Sequence, residues 1–119
     1  MAYVLVVEDE PVLAEVVGRA LERAGMAVTL ARSCSEARAA LAQRTPDLVI
    51  LDLKLPDGDG LALLRELRRA TLPPTVPVIA VTAGFVTRSE LRRNGVQAFL
   101  PKPYDVRHLL AAVVAAQAA

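Results

Sequence analysis

The amino-acid sequence specifies an α/β fold: a doubly wound, five-stranded parallel sheet in the order 2-1-3-4-5, with helices on both faces. Three features lead there. Runs at residues 3–7, 48–51 and 78–81 are continuously apolar, as strands buried on both faces require. Segments of helical periodicity alternate with those runs, which implies right-handed crossovers. Each run ends in polar residues and turn-forming sequence, and ligands of open α/β sheets bind at that carboxyl edge.

The first strand, 3–7, stops at Glu8-Asp9-Glu10. Pro11 opens a helix, because its fixed φ and missing N–H suit the first turn. Leu13, Val16, Val17, Ala20, Leu21 and Ala24 recur at helical spacing, and Gly25 stops the helix. Residues 26–31 alternate weakly and predict a second strand at a sheet edge. Ser33, with Glu36 three residues on, reads as a capping box for a helix that turns Ala37, Ala40 and Leu41 inward.

Leu48-Val49-Ile50-Leu51 is the central strand, closed by Asp52. Pro56 to Gly60 is turn-rich and launches a helix near Asp59, with Leu61, Leu64 and Leu67 on one face and Arg68-Arg69 at its end. Residues 71–77 hold three prolines and form a loop. The fourth strand, 78–81, ends at Thr82-Ala83-Gly84. Thr87 with Glu90 is a second capping box, and Asn94-Gly95 stops that helix after about two turns. Ala98-Phe99-Leu100 is the fifth strand, closed by Pro101-Lys102-Pro103. Asp105 starts the last helix, whose apolar positions include Val106, Leu109, Leu110, Val113 and Val114.

At 119 residues the chain fits one domain, 1–119, and no second domain is expected. With 54% hydrophobic and 23% charged residues it can bury a core. A net charge of +1 gives no general attraction to nucleic acid or an anionic membrane. The arginines at 65, 68 and 69 and at 88, 92 and 93 make local basic patches; such runs are usually solvated helix faces, and no direct nucleic-acid binding is expected. Cys34 is alone, so no internal disulfide can form, and a small half-buried residue at a helix start is the simplest role for it. The N-terminus enters a strand without a basic, apolar leader, which disfavours secretion or membrane spanning and makes a cytoplasmic protein the expectation.

Glu8, Asp9, Asp52, Thr82 and Lys102 each fall where an apolar strand ends, so the topology gathers them on one edge. Carboxylates held about 5 Å apart repel by roughly 3 kcal/mol at an effective dielectric of 20, which calls for a cation. An oxygen-only site left open to a phosphate suits Mg²⁺. Lys102 and Thr82 suit phosphate oxygens. Together they describe in-line phosphoryl transfer onto Asp52, giving an aspartyl phosphate. Taken singly, Asp52 could cap the next turn, Thr82 could be a loop hydroxyl, Lys102 a solvated turn residue and Phe99 plain core. His108, with no second histidine in the chain, is an improbable metal ligand.

Glu8-Asp9, the block from Asp52 to Gly60, Thr82-Ala83, and Phe99 with Lys102-Pro103 are similar to the motifs of receiver domains of two-component response regulators. The resemblance covers essentially the whole chain, and it implies the flavodoxin-like, chemotaxis-regulator-like fold. It implies that Asp52 accepts phosphate from a histidine kinase or phosphotransfer protein, that Asp9, Asp52 and the Lys54 backbone carbonyl bind Mg²⁺, and that Glu8 acts through bound water. Lys102 would contact the phosphoryl group, Thr82 would be drawn toward it, and Phe99 would rotate into the vacated space. The Lys102–Pro103 bond would be cis. The face of fourth helix, fifth strand and last helix would then bind a downstream effector protein or domain. Such a protein is not an enzyme on an outside substrate; it assists its own phosphorylation and dephosphorylation.

Lys102 follows Thr82 by 20 positions, slightly short for the family, and the fourth helix must absorb the difference. After Arg107 and His108 the last helix carries no charge, so a dimer held by charge pairs through this face is not expected. Gly84 offers no side chain to position water, which implies slow loss of the phosphate. The chain ends soon after the last helix, as either a stand-alone regulator or a fragment of a longer protein.

Two other classes of reading compete: a pseudo-receiver, and an enzyme sharing the sheet such as a flavin-binding protein or a phosphatase. A pseudo-receiver binding its partner without phosphorylation would be free to lose the acidic, threonine and lysine set that is present. A flavin protein needs a glycine- and hydroxyl-rich phosphate loop after the first strand, where Glu8-Asp9-Glu10 would repel phosphate. An aspartyl phosphatase needs an aspartate two residues after the nucleophile, and that position is Lys54.

Overall fold

The apolar runs become strands in a computed structural model that describes residues 1–118. In chain order the elements are β1 (Tyr3–Val7), α1 (Pro11–Arg23), β2 (Ala27–Ala31), α2 (Cys34–Gln43), β3 (Leu48–Asp52), β4 (Lys54–Leu55), β5 (Gly58–Asp59), α3 (Gly60–Ala70), β6 (Val78–Thr82), α4 (Arg88–Arg93), β7 (Ala98–Pro101) and α5 (Val106–Ala118). The main sheet runs β2-β1-β3-β6-β7, and every pairing in it is parallel. With the two short strands set aside, this is the predicted order 2-1-3-4-5. No described helix is long and apolar enough to cross a membrane.

Strand alternation sorts the core into two layers. Leu5, Val7, Val49, Leu51, Val78 and Ala80 face α2 and α3, where Ala37, Leu41, Leu61, Leu64 and Leu67 meet them. Val4, Val6, Leu48, Ile50, Ile79 and Val81 face α1 and α5, meeting Val17, Leu21, Leu109 and Val113. Each such leucine fully removed from water contributes about 1.5–3 kcal/mol. Because β1, β3 and β6 are buried on both faces, their register is fixed and their carboxyl ends line up.

The structure departs from the sequence reading at four places. Lys54–Leu55 and Gly58–Asp59 pair as a small antiparallel ribbon where a plain turn is predicted. Ser33 caps α2 through the Glu36 amide, but the Glu36 carboxylate accepts from Arg32 N–H and not from Ser33, so that box is half made. The Thr87–Glu90 box is complete. Val16 and Val114, predicted inward, are exposed, since each lies a residue beyond the stripe its helix turns to the sheet. Cys34 is fully buried rather than half-buried.

Candidate functional site

Parallel register delivers the site. Asp52 is the last residue of β3 and lies opposite Val81; Thr82, one step on, ends β6 opposite Pro101 of β7. The Lys102 amide donates to the Thr82 carbonyl at 2.9 Å, which continues the ladder past the strand end and aims the lysine back across the edge. The helix before β7, α4, has only six residues, and the Lys102–Pro103 bond is cis. The Lys102 ammonium reaches Asp52 Oδ2 at 2.8 Å and Glu8 Oε2 at 3.0 Å, joining residues far apart in sequence.

Glu8, Asp52 and Thr82 are buried, whereas Asp9 faces solvent. One carboxylate oxygen from each of Glu8, Asp9 and Asp52 lies within 4.8 Å of the others. Asp52 is held from the other side, its Oδ1 accepting from the Lys54 amide at 3.0 Å. Glu8 Oε2 also accepts from Glu10 N–H at 3.0 Å. Glu8 Oε1 is buried without a hydrogen-bond donor; the Lys102 ammonium is 2.8 Å away but poorly aligned for one. An orphaned carboxylate oxygen beside two further carboxylates is a hard, oxygen-only donor set, and Mg²⁺ fits it.

Electrostatics follow the geometry. Burial raises the Glu8 carboxyl above its ordinary value; the hydrogen bond from Lys102 opposes this, and the Asp52 charge adds to it. For Lys102, burial disfavours the ammonium, but the hydrogen bonds to Asp52 and Glu8 outweigh it, and the net direction is upward. The lysine is therefore a fixed cation, and the site holds two more carboxylates than its single ammonium can neutralise.

Thr82 Oγ accepts from the Gly84 amide at 3.0 Å, which leaves its hydroxyl proton available to donate. Phe99 sits on β7 opposite Ala80, half-buried against the α2–α3 layer, on the sheet face that strand alternation gives Thr82. The Lys54 side chain is exposed and lies over Gly84, where an added Cβ would come 2.9 Å from its Cε.

Three supporting residues escaped sequence reasoning. Asp57, at the ribbon tip, accepts from the Cys34 and Ser35 amides at 2.7 and 3.1 Å, so the ribbon after Asp52 is tied to the start of α2. Gly60 lets α3 start against the end of β3, since a Cβ there would lie 2.5 Å from the Asp52 carbonyl oxygen. Tyr104, its hydroxyl pushed up to about 12 by burial and then by the Glu8 charge, lines an apolar groove of about 470 Å³ with Val12, Val16 and Pro103. Only Gly60 left a sequence signal, as a glycine at a helix start where a capping residue already stands.

The family model of the response regulator receiver domain matches residues 4–114. The chain is 38% identical over 109 residues to the probable transcriptional regulatory protein TcrX of Mycobacterium tuberculosis, covering 90% of this chain and 46% of that protein. It is 38% identical over 113 residues to the KDP operon transcriptional regulatory protein KdpE of Escherichia coli, covering 93% and 49%. The chain thus spans half or less of the length of these relatives. Among solved structures, the non-phosphorylated HemR receiver domain of Leptospira biflexa superposes with a TM-score of 0.90 at 30% identity, covering 100% of this chain and 96% of that one. A CheY-like response regulator receiver domain protein of Methanospirillum hungatei gives 0.89 at 26% identity, covering 99% and 94%.

Proposed function

The chain belongs to the response regulator receiver domains of two-component systems, and from that premise we propose that Asp52 is its phosphoacceptor. The observation that carries the proposal is a buried Asp52 carboxylate held 2.8 Å from the Lys102 ammonium, with Glu8 and Asp9 beside it. An Asp52 carboxylate oxygen attacks phosphorus on the phosphohistidine of a kinase or phosphotransfer protein; the P–N bond breaks as the O–P bond forms. Asp9, Asp52 and the Lys54 carbonyl would hold Mg²⁺, with Glu8 acting through water. When bound, Mg²⁺ supplies charge neutralisation for the carboxylates and the transferring phosphoryl oxygens.

Lys102 exchanges part of its contact with Asp52 for a phosphoryl oxygen. Thr82 leaves the Gly84 amide to donate its hydroxyl to the phosphate, and Phe99 turns inward behind it. The two-state element is the surface of α4, β7 and α5, whose altered packing changes affinity for a downstream effector. The protein is a switch that assists its own phosphorylation and hydrolysis and not an enzyme on an outside substrate; its place is the cytoplasm, where kinase phosphohistidines are formed. The apolar groove beside Lys102, with exposed Val12 and Val16, is suited to seat the donor against Asp52.

Incubation with Mg²⁺ and acetyl phosphate tests this by intact mass. One added phosphoryl group, absent in Asp52→Asn and on chelation, is expected. No gain, or a gain surviving Asp52→Asn, rejects the switch and favours a partner-binding module that works without phosphorylation.

A further inference from the structure

We propose that the groove between α3 and α4 binds an acidic segment of a protein partner. Four guanidinium groups, of Arg65, Arg68, Arg69 and Arg93, line a groove of about 330 Å³ with Pro74 and Asn94. Among the described residues none of the four is ion-paired, while the acids on the same helices are occupied elsewhere. Glu66 pairs with Arg38 of α2 at 2.6 Å, and Glu90 closes the Thr87 capping box. A chain of net charge +1 therefore concentrates uncompensated cations on one surface.

The groove is also organised. Arg65 donates to Asn94 Oδ1 at 3.3 Å, and the Asn94 amide donates to the Glu90 carbonyl at 2.6 Å, so one hydrogen-bonded chain spans the two helices. Arg68 donates to the Pro73 carbonyl at 2.5 Å, and Arg93 to the Ser89 carbonyl at 3.4 Å. These contacts restrain three of the four side chains, leave Arg69 free among the described residues, and keep further N–H groups for an oxyanion, which lowers the ordering cost of binding. Partial burial of Arg68 pushes its guanidinium below its ordinary value with no acid to offset it.

The composition of the groove selects the partner. All four cations are arginine, whose planar forks match carboxylates as well as phosphates. No aromatic residue lines it, which removes the stacking platform single-stranded nucleic acid uses, and its small span offers no track along a duplex. Across α4, half-buried Leu91, Val96 and Phe99 line a second groove with Arg88 and Arg92, so a peptide crossing the short helix meets apolar anchors next to the cations.

The test is an NMR titration of the isotope-labelled protein with octaglutamate, with octaglutamine and a short DNA duplex as the other probes. Amide shifts confined to α3, the 71–77 loop and α4 are expected with octaglutamate and not octaglutamine, weakening with salt. Arg69→Gln with Arg93→Gln should lower affinity about tenfold, on the scale of two exposed ion pairs. Arg69→Lys with Arg93→Lys should restore most of it, whereas Arg19→Gln with Arg23→Gln on α1 should change nothing. Absent or scattered shifts, an unchanged affinity in the glutamine pair, or tighter binding of the duplex through the same residues would overturn the proposal.

Discussion

Replacing Lys102 by Met removes the one ammonium between Glu8 and Asp52 and keeps most of the side-chain volume. The lysine side chain is 15% exposed and the two carboxylates 2% and 3%, so the variant leaves two nearly buried charges facing one another. With their nearest oxygens no more than 4.8 Å apart, that repulsion is at least roughly 3 kcal/mol with an effective dielectric of 20. Breaking a buried pair costs about 3–5 kcal/mol, and the solvent beside Asp9 argues for the lower end, about 3 kcal/mol. For a domain of this length that corresponds to about 12 °C in Tm. Urea and thermal unfolding measure it, with and without Mg²⁺. An ion competing with no lysine should stabilise the variant by about 1.4 kcal/mol at a tenfold excess over its Kd, and should stabilise the parent less at the same ion concentration. A loss under about 1 kcal/mol, or equal Mg²⁺ effects on both proteins, would refute the reasoning.

The pH dependence has a definite sign. Lys102 is raised in the folded state, so its contribution is fully present below the ordinary lysine value and is lost as pH climbs through the raised one. Glu8 is also raised, so its contribution is present below the ordinary glutamate value and is lost as pH rises through the folded one. In Lys102→Met the Glu8 shift grows, so the variant should regain stability relative to the parent on mild acidification; a constant difference between pH 5 and pH 7 would contradict this. Gly60→Ala should cost about 1–3 kcal/mol or more in urea unfolding, because its Cβ meets backbone at 2.5 and 2.7 Å; a neutral result would refute the close approach. Asp57→Ala should speed hydrogen exchange at the Cys34 and Ser35 amides. In the parent that anchor, whose carboxyl is lowered, should hold above the ordinary aspartate value and loosen as pH falls through the folded one. The phosphate on Asp52 should be long-lived, since no Gly84 side chain can place water and Lys54 covers that position; decay within seconds at neutral pH would reject this.

Strands buried on both faces announce themselves, because nothing in Val4 to Val7, Leu48 to Leu51 or Val78 to Val81 could face water. Strand order then gathered Glu8, Asp9, Asp52, Thr82 and Lys102 without any contact being known. What local sequence could not carry is reach. Asp57 caps a helix that starts 23 residues earlier, and its Pro-Asp-Gly setting reads as an ordinary turn. The ribbon around it has two residues per strand, too few for periodicity to register. Val114 looked inward by spacing alone, yet the facing sheet is satisfied by Leu109 and Val113. The arginine runs were visible, but their convergence depends on a fourth helix short enough to bring Arg93 beside Arg65.

Lys102 ties the beginning and middle of the chain to its last strand, across 94 and 50 residues. During synthesis, Glu8 and Asp52 leave the ribosome well before their counter-charge does, and domains complete their folding as units once the distal segment arrives. A nascent chain halted before β7 therefore carries the acids without the ammonium that lies between them, and the charge set around Asp52 is complete only when translation has passed the final strand.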